Sequence, residues 1–162
     1  MGVLINCCER NKSFRNNFNS YKIKQITSID YLIKCLINSR ILIKQIERNQ
    51  KNKINQIDGD NDDDVDEESK KLYQPYLENR VVSFYLSLLL GFLLQNTLNF
   101  KYIASKLSNF SLILICLKEL MQFQNNSKKS LSLTRNVRTV AIIARIIQIV
   151  QIRNQSLISL KK

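Results

Sequence analysis

Residues 81–95 read VVSFYLSLLLGFLLQ, and this stretch decides the fold. Read as a helix it is apolar nearly all round, the pattern of a central core helix and not of an amphipathic surface one. The run 81–94 contains Ser83, Ser87 and Gly91, and it falls short of the ~20 residues that span a bilayer, so a buried helix is expected. Gly91 loses about 1 kcal/mol of helix propensity relative to Ala. Close approach of a second helix is the expected reason for a glycine at that place.

Outward from this core helix the chain keeps helical spacing. On the N-terminal side, residues 2–11 predict one helix, with Val3, Leu4 and Cys7 on a face. The chain opens almost inside that helix, so a longer natural parent or a truncated gene product is expected. Ser28 suits an N-cap, with Asp30 in the first turn favoured by the helix dipole. Ile29, Leu32, Ile33, Leu36, Ile37, Ile43 and Ile46 then recur at helical spacing to about residue 50. On the C-terminal side a short helix is predicted over 100–107. Asn109 caps the next, with Leu112, Ile113, Cys116, Leu117, Leu120 and Met121 on one face. A last helix is predicted over 132–155, with Val137, Val140, Ala141, Ala144, Ile147 and Ile152 inward, and with Arg138, Arg145 and Arg153 toward the outer face. Pro75 is placed near a helix start, where a missing N–H costs little. Three Gly and one Pro in 162 residues leave little turn chemistry for a β fold. The fold class expected is all-α, a HEAT-like or armadillo-like α-solenoid of stacked helix pairs.

Charge divides the chain. Residues 1–57 hold eleven Lys/Arg against three Asp/Glu; residues 58–68 hold eight acids and no base; residues 69–162 hold fourteen bases against two acids. The organisation expected is a first helical block, 1–57, an acidic flexible linker, 58–69, and a second helical block, 70–162, that contains the core helix. Like charges at the density of 58–69 repel and extend the chain. The linker also approaches a calcium loop: from Asp58, Asp60 and Asp62 fall at liganding spacing and Val65 at the apolar position. But Asp63 stands where the sharp turn needs Gly, and Ser69 where a bidentate Glu belongs, so no specific metal site is expected. The net charge of +12 suits nucleic acid, anionic lipid or acidic protein, and equally a merely solvated surface.

Chemistry-bearing patterns are sparse. The sequence has no His, no CxxC, and none of the glycine-rich phosphate loops, nucleophile elbows or zinc-protease motifs. Without His the commonest general base near neutral pH is missing. Outside the linker the acids are Glu9, Asp30, Glu47, Glu78 and Glu119, with Glu78 and Glu119 read as surface residues. No catalytic residue, cofactor or metal is expected. Cys35 and Cys116 sit in apolar stretches and read as small buried hydrophobes. Gly2 with Cys7 and Cys8 invites a lipid-anchor reading, although Asn6 occupies the place where myristoylation wants Ser or Thr.

Two stretches taken together resemble the wings apart-like family. MGVLINCCERNKSFRNNF, 1–18, is similar to that family's LG-LINL-E…N helix. VVSFYLSLLLGFLLQ, followed by LSNFSLILICLKELMQF at 107–123, is similar to its closing Y-LLLG-L-Q and L…F…LK…F segment. Tyr85, Leu88–Gly91 and Gln95 are the most specific part, and the order agrees, as does the acidic insert between the two stretches. The resemblance covers most of the chain. It implies a HEAT-like helical module without catalytic residues of its own, nuclear and chromatin-bound. Such a module works with cohesin and its HEAT-repeat regulators and promotes release of cohesin from DNA. Most of the family's N-terminal helical array and its FGF-type docking motifs are missing. Two further readings stand beside this one: a membrane-associated or lipid-anchored helical protein, and a structural helical subunit of another assembly. In an uncapped helical array Val3, Leu4, Ile5, Cys7 and Cys8 are also expected to lie against missing repeats or to be partly exposed. Lys101, Lys106 and Lys118 are the expected contacts for an acidic partner.

Overall fold

The computed structural model describes residues 2–23, 25–54, 65–126 and 133–159. Among them the chain forms the helices α1 (Gly2–Arg10), α2 (Lys12–Asn17), α3 (Ser28–Ile54), α4 (Val65–Leu93), α5 (Thr97–Lys106), α6 (Ser111–Asn126) and α7 (Leu133–Ser159). The all-α class holds. A 3-10 turn, Phe18–Ser20, and a ribbon of two short antiparallel strands, β1 (Lys22–Ile23) and β2 (Ile26–Thr27), lie between α2 and α3. The sequence reading did not foresee the ribbon. Gln25 turns its corner at φ 70°, a left-handed conformation that costs a residue with a Cβ about 1–2 kcal/mol.

α4 is the centre of the molecule and packs against α1, α3, α6 and α7. Its residues 86–94 are buried without a break, as a helix with no polar face requires. Around it Ile5, Cys8, Ile29, Leu36, Ile103, Phe110, Cys116, Ile146 and Val150 join one core, so both expected blocks contribute to the same apolar cluster. Ile5 and Cys8 are buried in that core, which corrects the expectation of partial exposure for them, while Cys7 is half-buried. Val3 and Leu4 are outside the described side chains.

Several local expectations are corrected. α4 starts at Val65, so Pro75 lies inside the helix and residues 65–69, expected in the linker, form its first turns. The rest of the acidic segment to residue 64, with the calcium-loop positions Asp58, Asp60, Asp62 and Asp63, lies outside the described residues. α3 runs on to Ile54 instead of fraying near 50. The hydroxyl that caps it is that of Thr27: Asp30 N–H donates to Thr27 Oγ1 at 3.2 Å, while Ser28 Oγ donates to the Tyr21 carbonyl. On α7 the inward face is Ile143, Ile146, Ile147, Val150 and Leu157, with Val137 64 % and Ile152 61 % exposed. The expected face was rotated because nearly every position from 140 to 150 is apolar, and apolarity alone then fixes no phase.

Candidate interaction surface

Polar chemistry in this fold sits at helix junctions. At the start of α3, Tyr102 Oη donates to Asp30 Oδ2 at 2.6 Å and Thr27 Oγ1 donates to the same oxygen at 2.8 Å. Lys106 Nζ stands 3.8 Å from Asp30 Oδ1 and 5.4 Å from the centre of the Tyr102 ring. Partial burial raises the Asp30 carboxyl, but these hydrogen bonds and the Lys106 charge outweigh it and hold the group below the usual carboxylate range. Between α3 and α6, Arg40 makes a forked pair with Glu119, Nη1–Oε2 at 2.8 Å and Nη2–Oε1 at 3.1 Å. Their side chains are 13 % and 28 % exposed, so Glu119 is a structural residue and not the surface one expected. Beneath this pair lie Cys116, Ser83 and Ser87, all fully buried.

Arg153 corrects its expected place on the outer face. Its Nε donates to the Leu94 carbonyl at 3.2 Å, its Nη2 to the Gln95 carbonyl at 3.4 Å, and its guanidinium stacks 4.7 Å from the Phe100 ring centre. It closes the C-terminal end of α4, where carbonyls lack intrahelical partners. Arg15 does the same for α1, donating to the carbonyls of Cys8 and Glu9. Nothing in the spacing of these arginines distinguishes them from Arg138 and Arg145, which are exposed.

The acids singled out in the sequence do not converge. Asp30 and Glu119 are held as described, Glu47 accepts from Tyr76 at 3.4 Å, and Glu78 accepts from Gln74 at 2.8 Å. No group of three metal-binding side chains occurs among the described residues. Burial raises the Cys8 thiol to about 12 and raises the Cys116 thiol, so neither is a ready nucleophile. Cys8 is fully buried, which takes it away from an acylating enzyme and weighs against the lipid-anchor reading. No single helix among the described residues is long and apolar enough to cross a membrane. Two concavities lie among the described residues, an open depression of about 430 Å³ beside Gln148, Gln151 and Gln155 and an apolar trough of about 160 Å³ between α4, α6 and α7.

What the described residues present outward is mostly helix surface. Lys101 and Lys118 are exposed, but Lys106 is committed to Asp30 and Tyr102, so the three do not act as one free set. One such face belongs to α3, where Tyr31, Ile37, Ile41 and Leu42 are 37–48 % exposed beside Lys34, Lys44, Arg48 and Lys51. Comparison with protein-family models and with curated protein sequences gives no match.

Proposed function

We propose that this chain is a non-enzymatic protein-interaction module that acts as the C-terminal part of a wings apart-like cohesin-release factor. The observation that carries the reading is where the resembling residues sit. Of the most specific part of the resemblance, Leu88, Leu89, Leu90 and Gly91 are buried in α4, with Gly91 against Ile146 and Val150 of α7, while Tyr85 is exposed. The buried four are the residues on which a helical scaffold of this kind depends. The reactive groups meanwhile hold helices together, as expected of a protein that works by surface complementarity. In this reading the α3–α4 and α6–α7 pairs are layers of a HEAT-like stack. Its place of action is chromatin in the nucleus, and its partners are cohesin and cohesin's HEAT-repeat regulators. Release then comes from differential binding: the module holds an open state of the ring more tightly than the closed one, and the ATPase is cohesin's own.

The test is cohesin residence time on chromatin. Deleting the chain lengthens residence if it is a release module, and re-expression restores the shorter time. Unaltered residence after deletion overturns the reading.

A further inference from the structure

On α3, Lys34, Ile37, Ile41, Lys44, Arg48 and Lys51 follow one another by alternating steps of three and four residues. At 3.6 residues per turn they occupy an arc of about 100° and a line roughly 25 Å long. All six are exposed, Ile37 37 % and Ile41 48 %. An alternation of three and four is the 3.5-residue seam along which a second helix packs. The seam is apolar in the middle and cationic toward the C-terminal end of α3.

Its charge is little compensated among the described residues. α3 holds two acids, and both are turned to other work, Asp30 to Tyr102 and Glu47 to Tyr76 of α4. Glu47 stands three residues from Lys44 and four from Lys51, the spacing at which ion pairs form on a helix, but its carboxylate accepts from Tyr76 at 3.4 Å instead. Among the described residues none of Lys34, Lys44, Arg48 and Lys51 stands in an ion pair.

We propose that this seam of α3 docks an acidic amphipathic α-helix of a partner protein. The partner's apolar residues pack on Ile37 and Ile41, and its carboxylates face Lys44, Arg48 and Lys51. Nucleic acid fits less well, since isoleucines in the middle of the line offer nothing to a phosphate backbone. A bilayer needs a broad apolar stripe with cations at its margins, whereas here the cations lie on the seam itself. The inference rests on the interaction-module reading and names the chemistry of the partner, without requiring cohesin.

The probe is a fluorescent synthetic helical peptide with leucines and glutamates at matching 3.5-residue spacing, titrated with the full chain. Saturable binding is expected, weakened roughly tenfold by the combined Lys44→Glu, Arg48→Glu and Lys51→Glu variant. Raising salt from about 0.05 to about 0.3 M weakens it several-fold. Ile37→Ser with Ile41→Ser weakens it too, and Arg145→Glu on α7 leaves it unchanged. Circular-dichroism melts establish that each variant is folded. The proposal is overturned by absence of saturable binding, or by equal affinity of the charge-reversed variant. It is also overturned if a scrambled peptide of the same charge binds as well, or if anionic phosphatidylserine vesicles or duplex DNA bind more tightly through the same residues. The binding assay contains no cohesin and the residence-time assay contains no peptide, so either reading can fail alone.

Discussion

At Gly91 the constraint is steric. A Cβ there would stand 2.2 Å from Ile146 Cγ2 and 3.5 Å from Val150 Cγ2, both on α7. Ile is stiff about χ1 in a helix, so its methyl cannot swing clear without moving the backbone. Gly91→Ala is expected to destabilise the fold: overpacking costs about 1–3 kcal/mol and outweighs a propensity gain of about 1 kcal/mol. Gly91→Leu costs more. Denaturant titration checks this, and Ile146→Ala in the same chain should recover part of the Gly91→Ala loss, so that the two changes are far from additive. Cys8 gives a second prediction at this scale. Its thiol is raised to about 12 in the fold, whereas an unfolded thiol ionises near 8.5. Between those values the unfolded chain loses the proton and the native chain keeps it. The stability contributed is complete below about pH 8.5 and declines as pH rises above it. Denaturation midpoints should fall from about pH 8 to about pH 10, and fall less steeply in Cys8→Ala.

At the scale of elements, helix ends matter more than helix interiors. α4 ends on carbonyls that Arg153 satisfies from α7. Arg153→Ala should cost about 1–2 kcal/mol through lost charged hydrogen bonds and lost stacking on Phe100. Arg153→Lys keeps the charge but neither the fork nor the planar stack, and should recover only part. Arg145→Ala, an exposed change on the same helix, should stay within about 0.5 kcal/mol. Thermal melts of the three variants decide. The contrast also shows what was legible in the sequence. The 81–95 helix, the start of α3 beside Ser28 and the 113–120 face of α6 followed from periodicity and caps, which are local properties. Arg153, Glu119 and Lys106 were misplaced because their partners Leu94, Arg40 and Asp30 lie 59, 79 and 76 residues away in sequence and outside their own helices, and spacing within one helix cannot reveal them. The α3 seam was readable as an alternation of three and four, yet Ile37 was counted with Ile29, Leu32, Ile33, Leu36 and Ile43 because periodicity does not say which apolar face is covered. Pro75 misled for a related reason: a proline marks a helix start only when nothing upstream continues the helix.

Across the whole molecule, the bonds that join the first block to the second are few and specific. Arg40 on α3 and Glu119 on α6 form one of them, well shielded but not sealed from water. A double-mutant cycle with Arg40→Ala and Glu119→Ala should give a coupling of about 1–2 kcal/mol, between the values for exposed and fully buried pairs. Arg40 Nε has no hydrogen-bond partner although it is buried, so removing Glu119 alone should cost more than the coupling itself. Because residues of both blocks share one core, unfolding should be a single cooperative transition with the same midpoint by far-UV circular dichroism and by tyrosine fluorescence.

The contact of Gly91 with Ile146 and of Leu94 with Arg153 also sets an order in time. Translation delivers α4 well before α7, with about 60 residues between the end of one and the arginine that closes it. At roughly 5–20 residues per second, the most apolar stretch of the chain waits about 3–12 s for its last cover. During that interval the nascent protein carries an unsealed hydrophobic helix, a natural client for chaperones. A synonymous change that slows the ribosome between α4 and α7 would lengthen the wait and lower the yield of folded protein without altering one side chain.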